Sequence, residues 1–420
     1  MTDENNTLLN QITCASDKLD ALGDRIDAIQ VDVGSLRKTS ERLSAFMEEL
    51  SKQSSAEKES NDFKNGLPQG KLKQTLRQII QKNFSSDVND PWLRKTLLSA
   101  SQVPPFLSVE QRNQLGLKTR FLSFLNFKGG VGKTTLTSNL AAAFAAANFK
   151  VDAKNAQPLR VLVIDLDFQG TLSDRCTNPW EYMKAVDSST TSPNLLFKPE
   201  RASFTIDQLT LPFIQSERAK IVPTSDLLDA YDNKVFCYQV FQLYEMRFNY
   251  RLWFHNEEFM RKYDLVIFDC PPRKTASVIC AMTSSDFVFV PTAPESLDVQ
   301  SIGRTIQWLV RLRFQLALDL KIGGIVFNRT SAETKLSNNE VDYKTQLESA
   351  IKDFFIDSPT EASKEYLKTC DLPSILQSFV PKRTGNNSII GDACQALPGA
   401  NKKLKFITNL ATEIYQRIYK

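Results

Sequence analysis

Residues Phe124 to Leu136, read Phe-Leu-Asn-Phe-Lys-Gly-Gly-Val-Gly-Lys-Thr-Thr-Leu, restrict the folds open to this chain more than any other stretch. An apolar run ends at Asn126, a glycine-rich loop follows, and Thr137 to Ala147 reads as an alanine-rich helix, the strand–loop–helix order of a phosphate cradle. Gly129, Gly130 and Gly132, with Val131 between them, let backbone N–H groups point at phosphate oxygens, and a helix starting near Lys133 adds the positive end of its dipole. Lys133 is expected to contact β- and γ-phosphates, Thr134 to place its hydroxyl on Mg²⁺, and Thr135 to add a phosphate contact. The stretch therefore predicts a nucleoside triphosphate site.

The strict pattern asks for glycine five residues before Gly132, where this chain has Phe127, and it has a second lysine, Lys128, inside the loop. The string Lys-Gly-Gly-Val-Gly-Lys-Thr-Thr resembles the deviant Walker A motif of the ParA/MinD family of P-loop ATPases, and most closely that of the ParA-type partition ATPases. The resemblance covers roughly residues 120 to 420. It implies Mg²⁺-dependent hydrolysis of ATP to ADP and phosphate in a homodimer that closes on ATP, with Lys128 reaching the partner's nucleotide. It also implies non-specific DNA binding, a stimulating partner protein, and the positioning of a plasmid, chromosome or other large cargo.

Further motifs fall in the order of that family. Leu159 to Gly170 ends in Asp165-Leu-Asp167-Phe-Gln-Gly, and strand alternation puts Asp165 and Asp167 on one side of the sheet edge. By resemblance Asp167 orients the attacking water, and Asp165 supports Mg²⁺ and its water shell. Leu265 to Asp269 is a buried strand with an acid at its tip, and Asp269 is expected to hold Mg²⁺ through water. Asn328, at the end of a later strand, and the Pro381-Lys382 segment resemble the places where related ATPases line the adenine.

Between these motifs strands and helices alternate from Arg120 onward, which predicts an α/β fold: a mostly parallel, doubly wound P-loop sheet with helices on both faces. The final helix, with Leu404, Ile407, Ala411, Ile414 and Ile418 at three and four spacing, reads as closing the core; a membrane-anchoring helix is the other reading. The aromatic run Phe236 to Phe254 and the lone His255 read as packing residues.

Ahead of the ATPase-like part, Leu8, Ile12, Ala15, Leu19 and onward to Met47 and Leu50 are spaced alternately by four and three. Such a seam describes a coiled coil about 65 Å long, self-associating or bound to a partner, or one amphipathic helix lying on the body of the protein. The expected organisation is a coiled coil over 1–52, a linker over 53–70, a small helical basic region over 71–118 and the P-loop domain over 119–420. Residues 1–61 hold 7 basic and 12 acidic side chains, whereas 62–120 hold 10 basic and 4 acidic ones. The second segment is thus the stronger candidate for an acidic partner; it reads as a DNA module or a plain connector.

The chain has 420 residues, no apolar run of 18 and no basic region followed by a short apolar core at its start. This predicts no transmembrane segment, no signal peptide and a cytoplasmic protein, nucleoid-associated if it binds DNA. Seven cysteines without metal-ligand spacing read as free thiols. A different class of function stands beside the partition ATPase: a nucleotide-switched interaction protein acting through its coiled coil on a scaffold or membrane, without DNA.

Overall fold

The computed structural model describes residues 91–93, 103–104, 106–146, 149–152, 155–199, 204–214, 216–240, 245–294, 298–332, 335–382 and 405–419. All lie in the second of two compact units, Asp90–Lys420. The coiled coil, the linker and residues 71–90 of the basic region lie outside the described residues.

Ten strands are described: β1 (Arg120–Phe124), β2 (Phe149–Asp152), β3 (Asn155–Gln157), β4 (Val161–Asp165), β5 (Leu211–Pro212), β6 (Ala219–Val222), β7 (Leu265–Asp269), β8 (Phe287–Thr292), β9 (Lys321–Thr330) and β10 (Val380–Pro381). Eight form one sheet in the order β10-β9-β8-β1-β7-β4-β6-β5, while β2 and β3 pair separately. Within the large sheet every pairing is parallel except β5 with β6. The helices are α1 (Val109–Gln114), α2 (Lys133–Ala146), α3 (Thr171–Cys176), α4 (Pro179–Asp187), α5 (Leu227–Val240), α6 (Asn249–Phe254), α7 (Glu257–Lys262), α8 (Ala276–Ser284), α9 (Asp298–Leu316), α10 (Asn338–Lys352), α11 (Glu361–Thr369) and α12 (Lys405–Ile418).

Near-continuous apolar strands are what a sheet covered on both faces requires. Successive residues divide accordingly. Leu162, Ile164, Val266, Phe268, Val288 and Val290 face one core with α6, α8 and α9. Val161, Val163, Leu265, Ile267 and Phe289 face the other with α2 and α12. In α12, Phe406, Ile407, Leu410, Ala411, Ile414 and Ile418 are all buried, so its apolar stripe closes the core. Among the described residues no helix is long and apolar enough to cross a membrane.

The amino-terminal edge of the sheet is tied by polar contacts. Helix α1 starts in a capping box: Gln111 N–H donates to Ser108 Oγ, and Ser108 N–H donates to Gln111 Oε1. Its Arg112 is fully buried and pairs with Asp286, just before β8, while also donating to Thr119 O at 3.0 Å. Asp286 in turn accepts the Phe121 N–H at 2.9 Å. His255 is buried and stacked on Phe121, with ring centroids 4.5 Å apart, as the packing reading expects. The Pro91–Leu93 turn packs on α9 and α5; Trp92 meets the Phe236 ring at a tilt, and its carbonyl accepts from Arg247, which is buried in a pair with Glu245.

Asp232 of α5 reaches the start of α8, accepting Ser277 N–H at 2.7 Å and Ser277 Oγ–H at 3.0 Å. Burial pushes its carboxyl up to about 6. Because the folded chain holds this proton more tightly than the unfolded one, the group favours the fold most below about pH 4. That advantage fades as pH rises to about 6 and changes no further above it. Asp232→Asn keeps the acceptor and removes the charge. It is expected to match wild type near pH 4 and to exceed it by about 1–2 kcal/mol at pH 8 in urea denaturation. A stability gap that does not widen between those pH values would show that the buried charge carries no penalty.

Candidate nucleotide site

Three strand ends meet at the carboxyl edge of the sheet because β7 lies between β1 and β4. Their register places Phe124, Asp269 and Asp165 in one row. The P-loop leaves β1 at that row, so its turn and the two carboxylates share one corner, where ligands of open α/β sheets sit.

Helix α2 begins at Lys133, and its first intrahelical bond runs from Leu136 N–H to Gly132 O at 2.9 Å. The preceding N–H groups of that turn have no intrahelical acceptor, which makes the turn an anion site. Gly132 has φ +82°, and a Cβ there would come 2.1 Å from Asn328 Nδ2. Only glycine meets both conditions. The Asn328 amide donates to Val131 O at 2.8 Å, and Arg329, itself at φ 63°, donates to Gly130 O at 2.8 Å. The loop's crown is thereby held from β9.

Lys133 is buried, and its Nζ donates to the carbonyls of Asn126 and Lys128, both at 3.0 Å. Desolvation pulls its pKa down, opposed chiefly by the charge of Asp269. Asp269 is also buried. Thr137 Oγ1 donates to its Oδ1 at 3.0 Å, whereas its Oδ2 has no hydrogen-bond partner. Burial raises its pKa, against the neighbouring hydroxyls of Thr134 and Thr137, which lower it. Asp165 is raised by burial and then by the Asp269 charge.

The two acids differ in what is left to bind. Asp165 Oδ1 accepts the Asp167 N–H at 3.0 Å, and its Oδ2 accepts Ser173 N–H at 3.0 Å and Ser173 Oγ–H at 2.7 Å. Its carboxylate therefore also anchors the following turn. Asp269 keeps a buried, unpaired oxygen beside the Thr134 hydroxyl. A hard cation bringing most of its ligands as water and phosphate fits that donor set. Thr134 and Asp269 are the residues that would hold Mg²⁺, with Asp165 behind them.

The other candidates are placed as follows. Strand β4 stops at Asp165, so Asp167 is set by the turn and not by strand alternation; it is half-buried, and its Oδ1 accepts Gln169 N–H at 3.2 Å. Lys128 is half-buried on the loop, with Gly129 and Gly130 exposed beside it and Val131 buried beneath; Thr134 and Thr135 are half-buried at the start of α2. Strand β9 runs through Asn328 to Thr330 and pairs with β10, which brings Pro381 and Lys382 to the same corner as Asn328. Pro381 is buried and Lys382 exposed. Of Arg304, Arg311 and Arg313 in α9, Arg304 is exposed and Arg311 half-buried, while Arg313 donates to Leu318 O, Leu320 O and Thr369 Oγ1.

Sequence reading missed Asn126, Lys274, Ser301, Thr305 and Trp308, which surround the Lys128 limb of the loop. Asn126 alone had a local signal, its place just before the glycine run; the others lie more than a hundred residues away.

Residues 119–322 match the family model of the AAA domain. The chain is 26% identical over 235 residues to the chromosome-partitioning ATPase Soj of Treponema pallidum, covering 53% of this chain and 77% of that protein. It is 28% identical over 222 residues to the chromosome partitioning protein ParA of Caulobacter vibrioides, covering 52% and 72%. A solved structure of cobyrinic acid a,c-diamide synthase from Mycobacterium smegmatis with bound ADP and magnesium shares 19% identity, a TM-score of 0.46, and 66% and 91% coverage. That likeness is too distant to bear on activity.

Proposed function

From a P-loop domain of the ParA type, we propose an ATP-hydrolysing partition protein that closes as a dimer around two nucleotides and binds DNA non-specifically in that state. The observation that carries this reading is the row of strand ends joining the P-loop to Asp269, whose buried Oδ2 is unpaired, together with the second loop lysine, Lys128.

In this reading the α2 N-terminus and Gly129–Thr135 bind the phosphates, and Lys133 exchanges its two backbone carbonyls for β- and γ-phosphate oxygens. Bound Mg²⁺ supplies charge neutralisation at those phosphates. Thr134 and Asp269 hold that cation, Asp165 orients the Asp167 turn, and Asp167 positions the attacking water. Lys128 of each subunit serves the other's nucleotide, which couples dimer closure to hydrolysis. Asn328, Pro381 and Lys382 line the base. A partner protein stimulates turnover, and the cargo is a plasmid, chromosome or other large body.

The test is DNA binding by the full chain with ATP, with ADP and without nucleotide, between 50 and 200 mM salt, with Lys133→Ala as control. Binding is expected with ATP only and is absent in the variant. Four phosphate contacts would weaken it roughly 100-fold across that range. Nucleotide-independent binding would move the DNA contact to residues 71–118. No binding in any state would reject the DNA reading and leave the coiled coil as the working surface.

A further inference from the structure

The limb of the P-loop that carries Lys128 is held from outside the motif by one face of α9. Asn126 is fully buried; its Nδ2 donates to Pro291 O at 2.8 Å, and its Oδ1 accepts both the Lys128 N–H at 2.9 Å and the Ser301 hydroxyl at 2.6 Å. One turn along, Thr305 Oγ1 accepts the Phe127 N–H at 3.3 Å and donates its own proton to Ser301 O at 2.9 Å. A further turn on, Trp308 meets the Phe127 ring edge-on at 5.3 Å between centroids. Lys274, from the loop after β7, places Nζ 5.8 Å from the Phe127 ring and 5.6 Å from that of Trp308.

Ser301, Thr305 and Trp308 are spaced by four and three and so share one helix face. That face explains Phe127. The position does not take a left-handed φ, so it does not need the glycine of the strict motif, and a ring there gives α9 something to grip. The Asn126 amide has one workable orientation: Pro291 O demands its NH₂, while the Lys128 N–H and the Ser301 hydroxyl both demand its oxygen. The side chain is thus a buried junction between β8, α9 and the Lys128 backbone, and a buried junction that loses one member loosens the rest.

We propose that Ser301, with Thr305 and Trp308 behind it, is a positioning residue for Lys128, pinning the Asn126–Lys128 limb to α9. The proposal rests on the reading of Lys128 as a phosphate-directed lysine, and it adds the residues that aim it. Lys128 must project beyond its own subunit's loop, so any play in its backbone is carried to the ammonium group. Loss of such preorganisation lowers turnover more than nucleotide affinity, because the N–H groups at the α2 N-terminus bind the phosphates and Lys133 gives up its bonds to Asn126 O and Lys128 O when it turns to them.

The experiment compares Ser301→Ala and Ser301→Thr with wild type in the full chain, by peptide-resolved amide hydrogen exchange and by ATP turnover with analogue affinity measured alongside. In Ser301→Ala the Phe127–Lys128 amides are expected to exchange about tenfold faster at an unchanged melting temperature, with kcat down about tenfold and analogue affinity within about twofold. Ser301→Thr, which keeps the hydroxyl, restores both. Exchange that is unchanged at Lys128, or raised evenly over the whole chain, would overturn the proposal. If wild type hydrolyses no ATP, the ATPase reading falls while hydrogen exchange still decides the positioning.

Discussion

Lys133→Ala is expected to abolish ATP binding and to lower hydrolysis at least 100-fold, while leaving the unliganded fold intact. The ammonium group is buried and donates to two backbone carbonyls. A buried cation satisfied by neutral carbonyls contributes little to the fold, and its lowered pKa reflects that desolvation. Its value appears when phosphate oxygens replace the carbonyls. Removing one preorganised donor from such a site costs a factor of about 10² to 10³ in rate.

The measurement is a pair of melting curves with and without Mg²⁺–ATP, beside equilibrium binding of a fluorescent ATP analogue. Wild type at a hundredfold excess over its dissociation constant gains about 2.7 kcal/mol from ligand. The variant is expected to gain nothing and to match wild type without ligand to within about 1 kcal/mol. If the variant still bound and hydrolysed ATP, the loop would not be the phosphate site. If it unfolded without ligand, the lysine would be structural.

The second large effect lies at the opposite edge of the sheet. Arg112→Ala is expected to destabilise the chain by about 3–5 kcal/mol, because it leaves the Asp286 carboxylate buried with its cation removed. Thr119 O also loses a donor at that site. Chemical denaturation would read the loss as a lower midpoint at constant slope, and a shift worth under about 1 kcal/mol would show that the pair is not structural. Arg112→Met tests the same point from the other side: it retains part of the side-chain volume but not the charge, so it too leaves Asp286 unpaired and recovers little. Both arginine variants are expected to bind ATP normally once folded, since β8 carries Asp286 at the end away from the P-loop. Loss of nucleotide without loss of stability at Lys133, and the reverse at Arg112, separates the two edges of one sheet.

The P-loop helix, the strand ending at Asp269 and the apolar face of α12 were legible from local pattern alone, because each is a contiguous run whose period records its environment. Phe127 was legible only as a departure from the strict motif, since its reason is the ring of Trp308 on another element. Arg313 of α9 is consumed in tying α9 to the chain that follows it and to Thr369, which no local run of residues records. The turn at Asp167 departs from strand alternation for a similar reason: the Asp165 carboxylate binds its N–H and ends the strand.

By itself, then, the sequence determined that this chain has a phosphate loop, an α/β alternation around it and acids at the ends of the following strands. These are written in neighbouring residues, where backbone geometry and side-chain periodicity act over a few positions. Tertiary structure alone decided that β7 sits between β1 and β4, so that Asp165 and Asp269 share a row and only Asp269 keeps an unpaired oxygen. It also decided that Arg112 finds Asp286 across 174 positions and that Ser301 finds Asn126 across 175. Contacts over such separations follow from which strands pair and which helix face is left to cover them, and a local run of residues does not encode either.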